Sequence, residues 1–157
     1  MTATTCCCPK LKRDDWDKEV FYWKNKPFYE TGYWSLFRMP LTYGKAVKEA
    51  MEFLKSRNLA KDPMLVLSGE ESMFHSSLLI EMSKDDRSLP VRRLTGKFIS
   101  LFFEGEYRDT PTWVRQTVDY CMSQGEKAKE LYFFYATCPK CAKHYGSTQT
   151  VIIARMR

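Results

Sequence analysis

Cys138-Pro139-Lys140-Cys141-Ala142-Lys143-His144 is the densest run of reactive side chains in the 157-residue sequence. Two thiols separated by two residues can bring both sulfurs to within about 4 Å on a tight turn, as a tetrahedral zinc knuckle requires. His144 can supply a nitrogen, and Cys7 and Cys8, beside Cys6, can complete the set from the other end of the chain. Such a clip would close a long loop and stabilise the domain. The same Cys-Pro-X-Cys spacing is also a dithiol pattern. A loop from Cys138 to Ser147 is expected here, however, with no helix dipole to lower the Cys138 pKa. Reduced cysteines with no special role are the third reading. Spacing leaves all three open, with structural zinc as the expected cofactor.

Carboxylates are the other source of chemistry. Glu104 follows Phe98, Ser100 and Phe102 on one face of an extended segment. A carboxylate at the end of an aromatic wall suits a cation, or serves as a general acid if desolvation raises its pKa. Glu130 shares a strand face with Tyr132 and Phe134, while Leu131, Phe133 and Tyr135 share the other. Glu70 and Glu71 read as a solvated hairpin tip, and His75 as a surface residue. Glu81 alternates with Leu79, facing either a groove or water. There is no glycine-rich phosphate loop, no serine nucleophile elbow and no carboxylate pair at a diagnostic spacing.

These residues need elements to position them, and the sequence supplies two similar sets. Strand, helix, strand, strand is read first from Tyr33 to Met82 and again from Phe98 to Met156. Matching elements are offset by 65 residues (Tyr33 to Phe98) and 67 (Met64 to Leu131). In the first set, Tyr33–Arg38 is a strand, and Tyr43, Val47, Ala50, Met51 and Leu54 form a helical stripe. Asn58 and Asp62-Pro63 end that helix, and Met64–Leu67 and Ser77–Met82 are strands. In the second, Phe98–Phe103 is a strand, and Thr110-Pro111 opens a helix with a capping hydroxyl. Val114, Val118 and Cys121 make its buried stripe, Gly125 stops it, and Leu131–Thr137 and Thr148–Met156 follow as strands. Residues 1–29 are expected as an irregular aromatic and Cys-rich arm packed on the body. The body is 30–157, with halves 30–85 and 93–157. The fold class is α+β: tandem strand-helix-strand-strand repeats forming one antiparallel sheet with two helices packed on it.

The stretch Gly-Lys-Phe-Ile-Ser-Leu-Phe-Phe-Glu-Gly-Glu-Tyr-Arg-Asp-Thr-Pro-Thr-Trp, Gly96 to Trp113, resembles the second half of the gyrase-inhibitor-like (GyrI-like) small-molecule-binding family. That family shows a strand, then Gly-Pro-Tyr, then a Trp early in the next helix. Gly105, Tyr107 and Trp113 match, with Glu106 in place of the proline, and the layout matches over most of residues 30–157. The resemblance implies a binder of lipophilic, often cationic or electrophilic compounds in a cleft between the halves. Some relatives are effector domains of regulators, and others are hydrolases that open reactive cyclopropanes. The family's pocket acid falls at Phe133 when counted without a gap, with Tyr135 as its aromatic partner. With a gap it falls at Glu130, with Tyr132.

The expected function is therefore binding of a hydrophobic or cationic small molecule by Tyr33, Phe37, Phe102, Tyr107, Trp113, Tyr132 and Phe134. The alternatives are a detoxifying hydrolase using Glu130 or Glu104 as acid or base, and a zinc- or thiol-dependent sensor. Aromatic content of 15% suits such a site. The net charge is +6, but basic residues are scattered and answered by acids, as at Lys10, Lys12 and Arg13 beside Asp14, Asp15 and Asp17. Arg92, Arg93 and Lys97 form the densest basic patch, read as solvated surface rather than a nucleic-acid footprint. No apolar run is long enough to span a bilayer and no signal peptide is legible, so a cytoplasmic monomer or weak dimer is expected.

Overall fold

The computed structural model describes residues 10–36, 39–40, 43–61, 65–70, 75–137 and 139–157, with backbone alone at 33–36, 39–40, 43, 70, 75, 139 and 140. In chain order the elements are α1 (Arg13–Trp16), β1 (Glu19–Leu36), β2 (Met39–Pro40), α2 (Tyr43–Ser56), β3 (Val66–Glu70) and β4 (His75–Glu81). Then follow β5 (Val91–Gly105), a 3-10 turn (Tyr107–Asp109), α3 (Thr110–Ser123), β6 (Ala128–Tyr135), α4 (Pro139–Tyr145) and β7 (Thr148–Met156). Contacts divide the chain into two units, Trp23–Gly96 and Met1–Tyr22 with Lys97–Arg157.

In the unit of Trp23–Gly96, β1 pairs antiparallel with β4 from Phe28↔Glu81 to Trp34↔His75, and β4 pairs with β3 from Val66↔Ile80 to Glu70↔Ser76. Alternation puts Tyr29 and Thr31 on the same face as Ile80, Leu78 and Val66. The apolar stripe of α2 packs on that face, where Ala50 and Leu54 join Val66, Leu78 and Ile80 in one core cluster. The helix ends as the sequence predicts. Asn58 adopts φ 57°, the Leu59 N–H donates to the Leu54 carbonyl at 2.9 Å, and the Asn58 N–H donates to Lys55 at 3.2 Å. That is a Schellman closure with asparagine in the left-handed position, and Leu59 and Leu54 meet in the core. Asp62, Pro63 and Met64 lie outside the described residues.

The other unit repeats this wiring. β7 pairs with β5 from Phe98↔Arg155 to Gly105↔Thr148, and with β6 from Ala128↔Met156 to Tyr135↔Thr150. In both units the last strand lies between the first and the second, so the duplication read from order and spacing is a duplication of topology. α3 covers the face of Leu131, Phe133 and Tyr135, where Trp113 packs on Phe133 and Ile152, and Cys121 on Ile99 and Ala154. Its buried stripe is Trp113, Thr117 and Cys121, with Val114 and Val118 half-buried beside it. Gly125, at φ 76°, closes the helix: its N–H bonds Met122 at 2.9 Å and that of Glu126 bonds Cys121 at 3.0 Å. The α+β class, with antiparallel strands and a helix packed on the sheet, holds in each unit.

Four local expectations change. The stretch before Tyr33 is not irregular, because β1 begins at Glu19. Within it Asn25 sits at φ 50° as a local irregularity, and the Pro27 carbonyl accepts the Met82 N–H at 3.2 Å. Likewise β5 begins at Val91, seven residues before the expected strand start at Phe98. Thr110 does not cap α3: its hydroxyl donates to the Tyr107 carbonyl at 2.6 Å, inside the preceding turn. The loop expected from Cys138 to Ser147 contains α4, which opens on Pro139, where a missing N–H costs nothing, and ends at Gly146 at φ 86°.

Candidate functional site

Strand alternation separates the predicted aromatic set onto two faces of one sheet. Trp113 and Tyr107 belong to the α3 side. Trp113 is 6% exposed and stacks on Phe103 at 5.4 Å, and Tyr107 meets Tyr135 at 5.6 Å. Glu104, Glu130, Phe102, Tyr132 and Phe134 belong to the opposite side. The side chain of Tyr33 is not described, and Phe37 lies outside the described residues. Gly105 explains the match around Trp113 in structural terms. A Cβ there would lie 2.9 Å from Asp109 Oδ2 and 3.1 Å from Trp113 Cζ2. Glycine lets the Trp113 ring close over the strand end, while Asp109 Oδ2 accepts the Glu106 N–H at 3.0 Å.

On the opposite side, the chain just before β1 lies along the sheet. The Leu11 N–H donates to Gln149 Oε1 at 2.8 Å, and Gln149 Nε2 donates back to the Leu11 carbonyl at 3.3 Å. Ser100, fully buried, donates to the Trp16 carbonyl, and the Trp16 ring meets Phe134 edge-on at 5.6 Å. The Arg13 guanidinium lies over the Phe102 ring at 4.8 Å and reaches Glu104 at 3.7 Å. Residues 11–17 are thus a strap held by buried polar groups, the aromatic arm's contribution to this unit. Glu104 is an exposed partner of Arg13 rather than a desolvated acid.

Glu130 is placed differently. The Tyr132 hydroxyl donates to its Oε2 at 2.6 Å, and Arg155, opposite it on β7, approaches the same oxygen at 3.4 Å. The Tyr132 hydrogen bond, assisted by Arg155 and opposed by partial burial, holds the Glu130 carboxyl below the usual range. At neutral pH it is a carboxylate, so it can attract a cation or accept a proton but has none to donate. Tyr132 is 3% exposed and fixes the geometry. Arg155 escaped the sequence reading, although a lone charge within Val151-Ile152-Ile153-Ala154-Arg155-Met156 is itself a signal.

The predicted metal set is only partly described. Cys141 is fully buried in α4, whereas His144, three residues on, is exposed. Among the described residues no group of three potential ligands forms. Cys7, Cys8 and Cys138 lie outside them. Arg92, Arg93 and Lys97 are ion-paired with Glu30, Asp85 and Glu126 respectively, which neutralises the densest basic patch. No described helix is long and apolar enough to cross a membrane.

Comparison with known proteins places this arrangement. The C-terminal domain of EcmrR superposes with TM-score 0.67 at 9% identity, covering 90% of this chain and 98% of that one. A hydrolase from Listeria innocua superposes with TM-score 0.61 at 13% identity, covering 94% of each. SAV2435 bound to tetraphenylphosphonium gives TM-score 0.52 at 11% identity, covering 90% and 94%. Identities this low establish a shared fold. No curated protein matches the chain. The model of the bacterial hydrolase family matches residues 1–156, and the chain belongs to that family.

Proposed function

We propose that this bacterial hydrolase-family chain, of GyrI-like type, binds a hydrophobic or cationic small molecule, with Glu130 as its anionic contact. One observation carries the reading: Glu130 is held ionised by Tyr132 and Arg155 on the sheet face that also bears Phe102 and Phe134. A fixed, partly exposed carboxylate is complementary to a lipophilic cation, the class to which the ligand named for SAV2435 belongs.

The family match favours a second reading, hydrolysis of an electrophile of cyclopropane type. Glu130 accepts a proton from water as the water oxygen bonds to a ring carbon, the ring C–C bond breaks with its electron pair left on the second carbon, that carbon takes a proton from solvent, and Glu130 returns its proton to solvent. Its lowered pKa makes Glu130 a weak base, so its main contribution is orienting the water. The general-acid role is unsuitable for Glu130, and Glu104 is exposed and paired with Arg13.

Tetraphenylphosphonium titration tests the binding. Glu130→Gln should weaken it by about tenfold, or 1.4 kcal/mol, while a neutral compound of similar shape loses little. Equal affinity of variant and wild type for the cation would end the proposal. For the hydrolase reading, product formation from a cyclopropane electrophile, followed by mass spectrometry, should drop by about 100-fold in Glu130→Gln. Undiminished turnover refutes it.

A further inference from the structure

Between β1 and α2, inside the unit of Trp23–Gly96, lies a cavity of about 260 Å³. Its walls are Tyr29, Thr31 and Gly32 from the strand and Ala46, Glu49, Ala50 and Phe53 from the helix. The hollow follows from residue size. Ala46 and Ala50 are one helical turn apart on the face turned to the strand, and their short side chains leave the space over Tyr29 and Thr31 unfilled. The volume equals that of roughly nine waters in the liquid. It holds one substituted aromatic ring or one quaternary ammonium group.

The chemistry of the lining selects a charge. The rings of Tyr29 and Phe53 lie 5.2 Å apart at 32°, forming an aromatic corner. Phe53 already receives a cation, with the Arg57 guanidinium 5.0 Å from its centroid. Among the described lining residues the one side chain charged at neutral pH is Glu49, an acid, whose Oε1 is 4.0 Å from Lys45 Nζ in an exposed and loosely held pair. Aromatic faces carry negative quadrupole, and a carboxylate adds a full negative charge, so both attract the same ligand. An anion would meet repulsion from each.

From this lining we infer a second binding site, between β1 and α2, for a small organic cation such as an aryl or alkyl quaternary ammonium. It shares no residue with the surface around Glu130 and does not depend on how that surface is read.

The test is a titration of the full chain with phenyltrimethylammonium, followed by amide NMR shifts at Gly32, Ala46 and Ala50. Saturating shifts at these positions are expected in wild type. Glu49→Gln, at an exposed position, should weaken binding by up to about fivefold. Phe53→Leu, which keeps apolar bulk but removes the ring, should weaken it about two- to fivefold. Ala46→Leu fills the cavity and should abolish saturation, while its circular dichroism stays that of wild type. Glu130→Gln should leave these shifts unchanged, which separates failure here from failure at Glu130. Absence of saturating shifts in wild type overturns the inference. So does equal affinity for the neutral isostere tert-butylbenzene, or undiminished binding by Ala46→Leu.

Discussion

Replacing Glu81 by glutamine tests how one buried charge is kept. Glu81 is 6% exposed, on the β4 face opposite α2. Lys26 and Lys61 both reach its Oε2, at 2.5 and 2.8 Å, and the Leu65 N–H donates to Oε1 at 3.3 Å. Burial opposes ionisation, but the hydrogen bonds and charges of the two lysines prevail and hold the carboxyl below its ordinary value. Glutamine cannot satisfy this cage. If its oxygen faces the lysines, its amide faces the Leu65 N–H, and the reverse orientation turns the amide toward two ammonium groups. A hydrogen bond to a charged group contributes about 1.5–3 kcal/mol. The lysine side chains are 23% and 45% exposed and can recover water, so a discount to about 1 kcal/mol each is required.

The expected loss at neutral pH is therefore about 2 kcal/mol, or about 4–8 °C in melting temperature for a chain of this size. The pH dependence follows from the sign of the shift. A carboxyl whose folded pKa lies below the unfolded value, about 4.3, stabilises above that pH, and the contribution fades as pH falls through the folded pKa. Wild type should thus lose stability in acid faster than Glu81→Gln, and the gap between them should close below about pH 4. Urea or thermal melts across that range measure it. Equal stability at pH 7 refutes the cage, and a gap that persists undiminished into acid refutes the role of ionisation.

Gly105→Ala should cost about 1–3 kcal/mol, because its Cβ would press on Asp109 and the Trp113 ring. Urea melts followed by near-ultraviolet dichroism report it, and an unchanged midpoint with an unchanged Trp signal would show the fit to be loose. Gln149→Leu removes both bonds to Leu11, leaving its N–H and carbonyl without these partners, and should cost about 1–2 kcal/mol. Tryptic cleavage after Lys12 and Arg13 should accelerate in that variant, and an unaltered rate would mean that other contacts hold the strap.

The repeat was legible because topology leaves a periodic trace. Helical stripes at Val47, Ala50 and Leu54, the stops at Asn58 and Gly125, and the order of strands all follow from side-chain size and backbone preference within short windows. Strand ends were less legible. Glu19–Tyr29 carries Asn25 and Pro27, whose local cost is outweighed by pairing with distant chain, and no window of sequence contains that pairing. α4 was missed for a related reason: Cys138, Cys141 and His144 drew attention as ligands, while Pro139 and Gly146 marked an ordinary helix start and stop. Within the candidate site, Glu130 with Tyr132 could be read from period-two alternation. Arg155 and the strap could not, since the pairing of β6 with β7 and the docking of residues 11–17 are long-range facts.

The division of the aromatic set says what the shared sequence pattern is for. Gly105, Tyr107 and Trp113 lie where a strand turns into a helix. Gly105 admits the Trp113 ring, and Trp113 then fills the core against Phe103, Phe133 and Ile152. Their physics is packing, and it would be the same whatever the ligand. Glu130, Tyr132 and Arg155 bear a different signature: an ionised and partly exposed carboxylate is approached by two polar partners on one sheet face. Gly105, Tyr107 and Trp113 and the residues proposed to meet the ligand are therefore on opposite sides of the same sheet. A substitution at Trp113 should lower stability and binding together, whereas Glu130→Gln should cost at most about 1 kcal/mol of stability, its side chain being 42% exposed, and lower cation affinity by more. That difference, read as denaturation midpoint against cation affinity in the same two variants, is the cleanest separation of scaffold from site that this chain offers.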